Sequence, residues 1–111
     1  MGLSYNIYLP DSGRVYGCRI CKTHLSDTSD IMSRQFRGQH GKAYLFSKVV
    51  NVTECKPENR VMTTGEHTVR DICCRHCGTC VGWKYDYAFE ESEKYKEGKF
   101  ILEVELLARI E

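Results

Sequence analysis

Apolar and polar positions alternate along this chain in short runs separated by turn-forming residues, which is the period of half-buried strands. Tyr5-Asn6-Ile7-Tyr8 alternates and leads through the turn cluster Pro10-Asp11-Ser12-Gly13 into a short strand, Arg14-Val15-Tyr16, so the N-terminal run reads as a sheet edge. Ser26 to Asp30 is polar and turn-forming. Ala43-Tyr44-Leu45-Phe46 and Val49-Val50-Asn51-Val52-Thr53 are rich in β-branched and aromatic residues and are expected to form the inner sheet. After a turn at Cys55 to Asn59, Val61-Met62-Thr63 and His67-Thr68-Val69-Arg70-Asp71-Ile72 meet across Thr64-Gly65-Glu66 as a hairpin. Val81, Trp83, Tyr85 and Tyr87 fall on one face of a further strand.

Three segments break the rhythm. From Ser33 to Lys42, Arg34, Arg37, His40 and Lys42 are spaced by Gly38 and Gly41, which reads as a basic mobile loop, more readily solvated than bound to phosphate. Glu90 to Lys96 is charged and reads as a helical turn ended by Gly98. Phe100, Leu102, Val104 and Leu106 share a face at period two, while Phe100, Ile101, Val104 and Leu107 also fit a helix.

The chemistry is concentrated in two stretches, Cys18-Arg19-Ile20-Cys21 and Cys74-Arg75-His76-Cys77, with 52 residues between Cys21 and Cys74. Each can present two thiolates from one tight turn, and together they make a four-sulfur site suited to one structural Zn²⁺, which prefers tetrahedral thiolate coordination. Cys77-Gly78-Thr79-Cys80 is a second CxxC sharing Cys77, and Cys73 adjoins Cys74, so the ligand set needs a further argument. An internal repeat supplies it. Residues 18–25 and 74–81 both follow C-R-x-C-x-T-x-apolar, which aligns Cys18 with Cys74 and Cys21 with Cys77 and leaves Cys80 opposite His24. The expected ligands are Cys18, Cys21, Cys74 and Cys77, clamping two segments distant in the chain.

At 111 residues the sequence is read as one domain, with its core at about 14–107, small enough for a metal to matter to its stability. Sixteen basic and fifteen acidic residues give a net charge of +1, so no overall field points to nucleic acid or an anionic membrane. No charged-then-apolar leader and no apolar run of about 18 residues is present, and seven cysteines are an odd number. Paired CxxC motifs then point to metal in a reducing, intracellular compartment. Met1-Gly2 fails as a myristoylation start because Asn6 stands where Ser or Thr is required, and the Asn51-Val52-Thr53 sequon is read as chance.

The paired CxxC motifs, Gly41-Lys42-Ala43-Tyr44-Leu45-Phe46 with Val49-Val50-Asn51, Thr64 to Asp71, Gly82-Trp83-Lys84-Tyr85 and Tyr95 to Glu103 together resemble the yippee-like proteins over nearly the whole chain. Arg60-Val61-Met62, Arg70-Asp71 and the short N-terminus look most similar to the branch of the fifth human yippee-like protein and its yeast counterpart. The resemblance implies a mainly β fold, the β-tent, in which two antiparallel sheets meet at an angle and are pinned by one four-cysteine zinc site. It also decides the last segment in favour of a strand. It brings no enzymatic activity, and it implies nuclear and cytoplasmic protein partners, for the similar branch subunits of the GID/CTLH ubiquitin ligase.

Three function classes follow. The first is a non-enzymatic adaptor or regulatory subunit stabilised by zinc. The second is a small-ligand or modified-residue module, since related β-tent domains use an aromatic cage; Trp83 and Tyr85 match two walls, with His67 beside them, but no Trp or Phe stands between Thr63 and Val69. The third, a thiol oxidoreductase related to methionine sulfoxide reductase B, needs a reactive late-strand cysteine, and no Cys follows Cys80. Core packing of Trp83 and a hydrogen-bonded structural role for His67 are the plainer readings of those residues. Partner contact is expected either at this cleft or at the loop carrying Arg34, Arg37, His40 and Lys42.

Overall fold

A computed structural model describes residues 14–110. The expected edge and turn at Tyr5 to Gly13 lie outside them. Ten strands follow in order: β1 (Val15–Cys18), β2 (His24–Asp27), β3 (Ile31–Gly38), β4 (Gly41–Phe46), β5 (Val52–Glu54), β6 (Glu58–Met62), β7 (Gly65–Cys74), β8 (Cys80–Ala88), β9 (Phe100–Glu103) and β10 (Leu107–Ile110). Short 3₁₀ turns at Thr28–Asp30, Glu91–Lys96 and Val104–Leu106 are the helical elements among the described residues. The strands form two antiparallel sheets. A three-stranded sheet has the order β10-β1-β2, and a seven-stranded sheet the order β3-β4-β9-β8-β7-β5, with β6 also paired to β7.

Side-chain alternation gives the large sheet two working faces. On one, Phe46, Ile72, Cys74, Val81 and Leu102 pack against Cys18 and Leu25 of the small sheet and Val49 of the β4–β5 connection. Leu45 and Ile101, each one residue away from a member of that set, point to the opposite face with Ala43, Val69 and Tyr85, where Phe36, Met62 and Trp83 cover them. Both faces of the central strands are therefore apolar, as the continuous burial of Ile101 and Leu102 records.

The residues expected to be a basic loop are instead strand β3, the turn at 39–40 and the start of β4, with Arg37 opposite Lys42 and Gly38 opposite Gly41. Register shifts between Ile31 and Ser33 and between Ser33 and Phe36 break the period-two pattern that would have announced a strand. The run Val49 to Thr53 is a strand only from Val52, and β5 lies at the sheet edge. Asn51 interrupts it at φ 60, where its side chain donates to the His24 carbonyl at 2.8 Å. Ser26 and Asp27, expected in a turn, belong to β2; the turn begins at Thr28. In β8 only Trp83 and Tyr85 share the expected face: Ile72 pairs with Gly82 and Cys73 with Cys80, so Val81 is an extra residue and packs on the small-sheet face instead. A second irregularity follows Tyr85. Thr68 pairs with Tyr87 and Val69 with Tyr85, so Asp86 is an extra residue; Tyr87 turns out to solvent and Ala88 is buried. The last segment is a strand only to Glu103, after which a 3₁₀ turn redirects the chain into β10 beside β1.

Gly82 faces the backbone of β9 with no room for a side chain. A Cβ there would sit 1.8 Å from the Ile101 carbonyl oxygen, a contact with fixed backbone in the middle of the sheet. Gly82→Ala is expected to destabilise the fold by about 3 kcal/mol or more, read as a shift in a denaturant midpoint.

Candidate metal centre and groove

The two cysteine knuckles are built alike. In the first, the Lys22 amide donates to the Cys18 carbonyl at 2.8 Å and the Cys18 amide to the Thr23 carbonyl at 2.9 Å; in the second, Gly78 donates to Cys74 at 2.8 Å and Cys74 to Thr79 at 2.7 Å. Cys21 Sγ lies 3.0 Å from Thr23 Oγ1, and Cys77 Sγ 3.1 Å from Thr79 Oγ1. The position after the second cysteine is left-handed in both, at φ 66 for Lys22 and φ 82 for Gly78; glycine suits that conformation and lysine accepts strain there. The repeat in the sequence is thus a repeat of backbone geometry.

Facing each other, the knuckles bring Cys18, Cys21, Cys74 and Cys77 together, their sulfurs all within 4.8 Å of one another. The Cys18–Cys77 and Cys21–Cys74 separations are 3.5 Å. Four sulfurs about 2.3 Å from one ion stand about 3.8 Å apart in a tetrahedron, so the cluster fits a single zinc site. Burial pushes Cys18 up to about 12 against the amides of Cys21 and Ile20, and it raises Cys74 against those of Cys77 and His76. At Cys77 burial is outweighed by the Thr79 hydroxyl and amide and by Cys18 and Cys21, which bring it down to about 7. A cation among the sulfurs favours the thiolate in every case. Cys18 ends β1 of the small sheet and Cys74 ends β7 of the large one, so the cluster spans the sheet junction.

Cys55, Cys73 and Cys80 stand apart. Cys73 and Cys80 are opposite each other on β7 and β8 with their sulfurs 2.7 Å apart, and burial, with Cys80 and Cys55 nearby, pushes Cys73 up to about 12.

On the face of the large sheet turned away from the cysteine cluster lies a groove of about 1040 Å³, at the upper end of ligand-site sizes. Trp83 and Tyr85 line it, as do Arg37 and His40 from the β3–β4 hairpin. Arg34 instead sits over the Tyr44 ring at 5.4 Å, and neither Arg34 nor Lys42 lines the groove. His67 is fully buried beside Tyr85, with 5.2 Å between ring centroids, and its Nδ1 pairs with the Gly65 carbonyl at 2.9 Å; it does not line the groove. Burial raises the Tyr85 phenol, the Trp83 indole pulling the other way, yet no acceptor is in hydrogen-bonding geometry with Trp83 Nε1.

A separate aromatic group lies beside the groove. Phe36, Tyr85 and Tyr95 surround the Lys96 ammonium at 5.2, 5.2 and 6.0 Å from their centroids. Lys96 is buried, 2.7 Å from Glu93 and donating to Thr64 Oγ1 at 2.9 Å. Sequence reasoning missed this group because a charged run without periodicity reads as a solvated turn. Glu103, buried and also lining the groove, accepts from the His40 backbone N–H at 2.7 Å and pairs with His40 Nδ1 at 3.0 Å, which fixes the hairpin tip.

Two antiparallel sheets with a four-cysteine cluster at their junction, consistent with a single zinc site, define a protein of the yippee fold. The family described as Yippee zinc-binding/DNA-binding /Mis18, centromere assembly matches residues 14–111, and the chain belongs to this yippee-like family. It is 59% identical to a yippee-like protein of Arabidopsis thaliana over 91 residues, 82% of this chain and 71% of that one. It is 50% identical to protein yippee-like 3 of Bos taurus over 101 residues, 91% and 85% of the two chains. The crystal structure of the Mis18 'Yippee-like' domain superposes with a TM-score of 0.66 at 13% identity, covering 87% of this chain and 94% of that one, a likeness of fold.

Cys74→Ser is expected to abolish metal retention and cooperative unfolding together, whereas Cys80→Ser keeps both; metal analysis with calorimetry checks each. Hydrogen bonding from Lys96 holds Glu93 below the usual carboxylate range. The stability this adds is present above the ordinary glutamate pKa and is lost as pH falls through the lowered one. A melting-temperature profile that is flatter on the acid side in Glu93→Gln than in the parent checks it.

Proposed function

We propose that the protein is a non-enzymatic adaptor or regulatory subunit whose fold is held by one structural Zn²⁺ on Cys18, Cys21, Cys74 and Cys77. Zinc supplies cross-linking at such a site: four thiolates fill its coordination and leave no position for water or substrate. The observation that carries the reading is the separation of this closed cluster from an open groove on the opposite face. Stability and recognition then reside in different residues. The partners we propose are proteins of a GID/CTLH-type ubiquitin-ligase assembly in nucleus and cytoplasm, on the strength of the similarity to the branch of the fifth human yippee-like protein. No helix among the described residues is long and apolar enough to cross a membrane. With a net charge of +1, nucleic acid would need a local basic patch.

A second reading, a small-ligand or modified-residue module at the same groove, is favoured by the unmatched Trp83 N–H, which calls for an acceptor. A cationic ligand such as a modified lysine would have to displace Lys96 from its three rings, so an acceptor-bearing neutral or acidic group suits the groove better.

Tagged protein purified from cells is expected to retain the ligase subunits. Arg37→Glu at the groove should weaken that association by about tenfold at unchanged zinc content and melting temperature, and Trp83→Phe should act alike, whereas Arg34→Glu on the far side of the sheet should not. Full recovery with both groove variants would remove the groove from the interface.

A further inference from the structure

We infer that Cys73 and Cys80 form a reversible redox staple, a cross-strand dithiol that closes to a disulfide beneath the second knuckle while the four metal-site sulfurs stay in place. The repeat of the two knuckles puts the pair in position. The same register that sets Gly17 opposite His24 in the first knuckle sets Cys73 opposite Cys80 in the second. Next to them, the Cys74 amide donates to the Thr79 carbonyl, so Cys73 and Cys80 are the non-hydrogen-bonded kind of antiparallel pair. Such pairs have Cα atoms about 4.5 Å apart, within the range that a disulfide spans. The two sulfurs are 2.7 Å apart, and a bond requires them to approach by about 0.7 Å. Both thiols are free, Cys80 exposed and Cys73 half-buried, so an oxidant reaches Cys80 first.

With a low-molecular-weight disulfide such as oxidised glutathione the step balances. Cys80 sulfur attacks one sulfur of the oxidant, forming a mixed disulfide and releasing one thiol. Cys73 sulfur attacks the Cys80 sulfur, the Cys73–Cys80 bond forms, and the second thiol leaves. Two protein thiols have lost two electrons and two protons, and the oxidant has gained them as two thiols. The bond would enclose Cys74 to Thr79, the hairpin that presents two metal ligands, and hold it in its folded geometry. The staple exists in only one half of the repeat, because Gly17 offers no side chain at the equivalent place.

The test is to treat the zinc-loaded protein with graded oxidised glutathione, follow intact mass and metal by native mass spectrometry, and map bonds on unreduced peptides. A mass loss of about 2 Da with zinc retained and a Cys73–Cys80 peptide is expected, reversed by reduced glutathione. Cys55→Ser should behave as the parent, and Cys73→Ser and Cys80→Ser should yield glutathione adducts without that loss. Zinc transfer to a chelator from the oxidised protein should be at least about threefold slower than from the reduced protein. A bond to Cys55, a bond within Cys18, Cys21, Cys74 and Cys77 with release of zinc, or persistent adducts on the parent would overturn the assignment. Equal or faster zinc transfer would overturn the stapling role. The bond map does not depend on the proposed zinc, so failure of that reading and failure of this one are distinguishable.

Discussion

The meeting of four sulfurs at the sheet junction is the constraint on which the rest depends. The three-stranded sheet consists of strands four residues long, too little to be stable alone. Its attachment to the large sheet and the β4–β5 connection includes Cys18 and Leu25 in a shared core, hydrogen bonds from Asn51 and Val50 to β2 carbonyls, and the cysteine cluster. Structural zinc in small domains contributes about 10–16 kcal/mol, while whole domains are stable by only about 5–15 kcal/mol. An ion at this junction is therefore large enough to decide whether the two sheets are one folded unit.

The same repeat explains both the symmetry and the departures from it. Backbone hydrogen bonds, threonine hydroxyls and left-handed positions coincide between the knuckles. Where they differ, the difference is chemical: Lys22 stands where Gly78 stands, and Gly17 and His24 stand where Cys73 and Cys80 stand. The two halves are also tethered differently, since the Arg19 amide donates to the Leu106 carbonyl and the Arg75 amide to that of Asn51. The first knuckle is thus tied to the turn that precedes β10, and the second to the connection that leads into β5.

The meeting of the four cysteines was legible in the sequence because thiol spacing and a repeat are local features that survive translation into three dimensions. So were the strands β4 and β7, whose apolar runs are long or regularly alternating, whereas β6 was legible only at Val61 and Met62, its start at Glu58 reading as a turn, and β8 only at Trp83 and Tyr85. What was not legible depended on bulges and on contacts distant in sequence. The extra residues in β3 hid a hairpin under a basic, glycine-punctuated run, and Asp86 turned Tyr87 outward despite correct parity. The aromatic group around Lys96 draws Phe36 from β3, Tyr85 from β8 and Tyr95 from a 3₁₀ turn, three elements with no shared pattern in the chain. His67 shares the parity of Val69 on β7 and so faces the same side as Tyr85, but it is fully buried against the Tyr85 ring and does not reach the groove.

The face of the large sheet that packs on the small sheet is apolar. On the other face the β3 bulges, buried Glu103 and buried Lys96 all border the groove. A buried ammonium carries a desolvation cost that its carboxylate, hydroxyl and three ring faces offset in part, and an unmatched indole N–H costs about 1–3 kcal/mol outright. Neither is needed to close a core, since apolar side chains of similar volume would do so at lower cost. A fold tied together by a four-cysteine cluster on one face can carry such features on the other, where they depart from simple core packing.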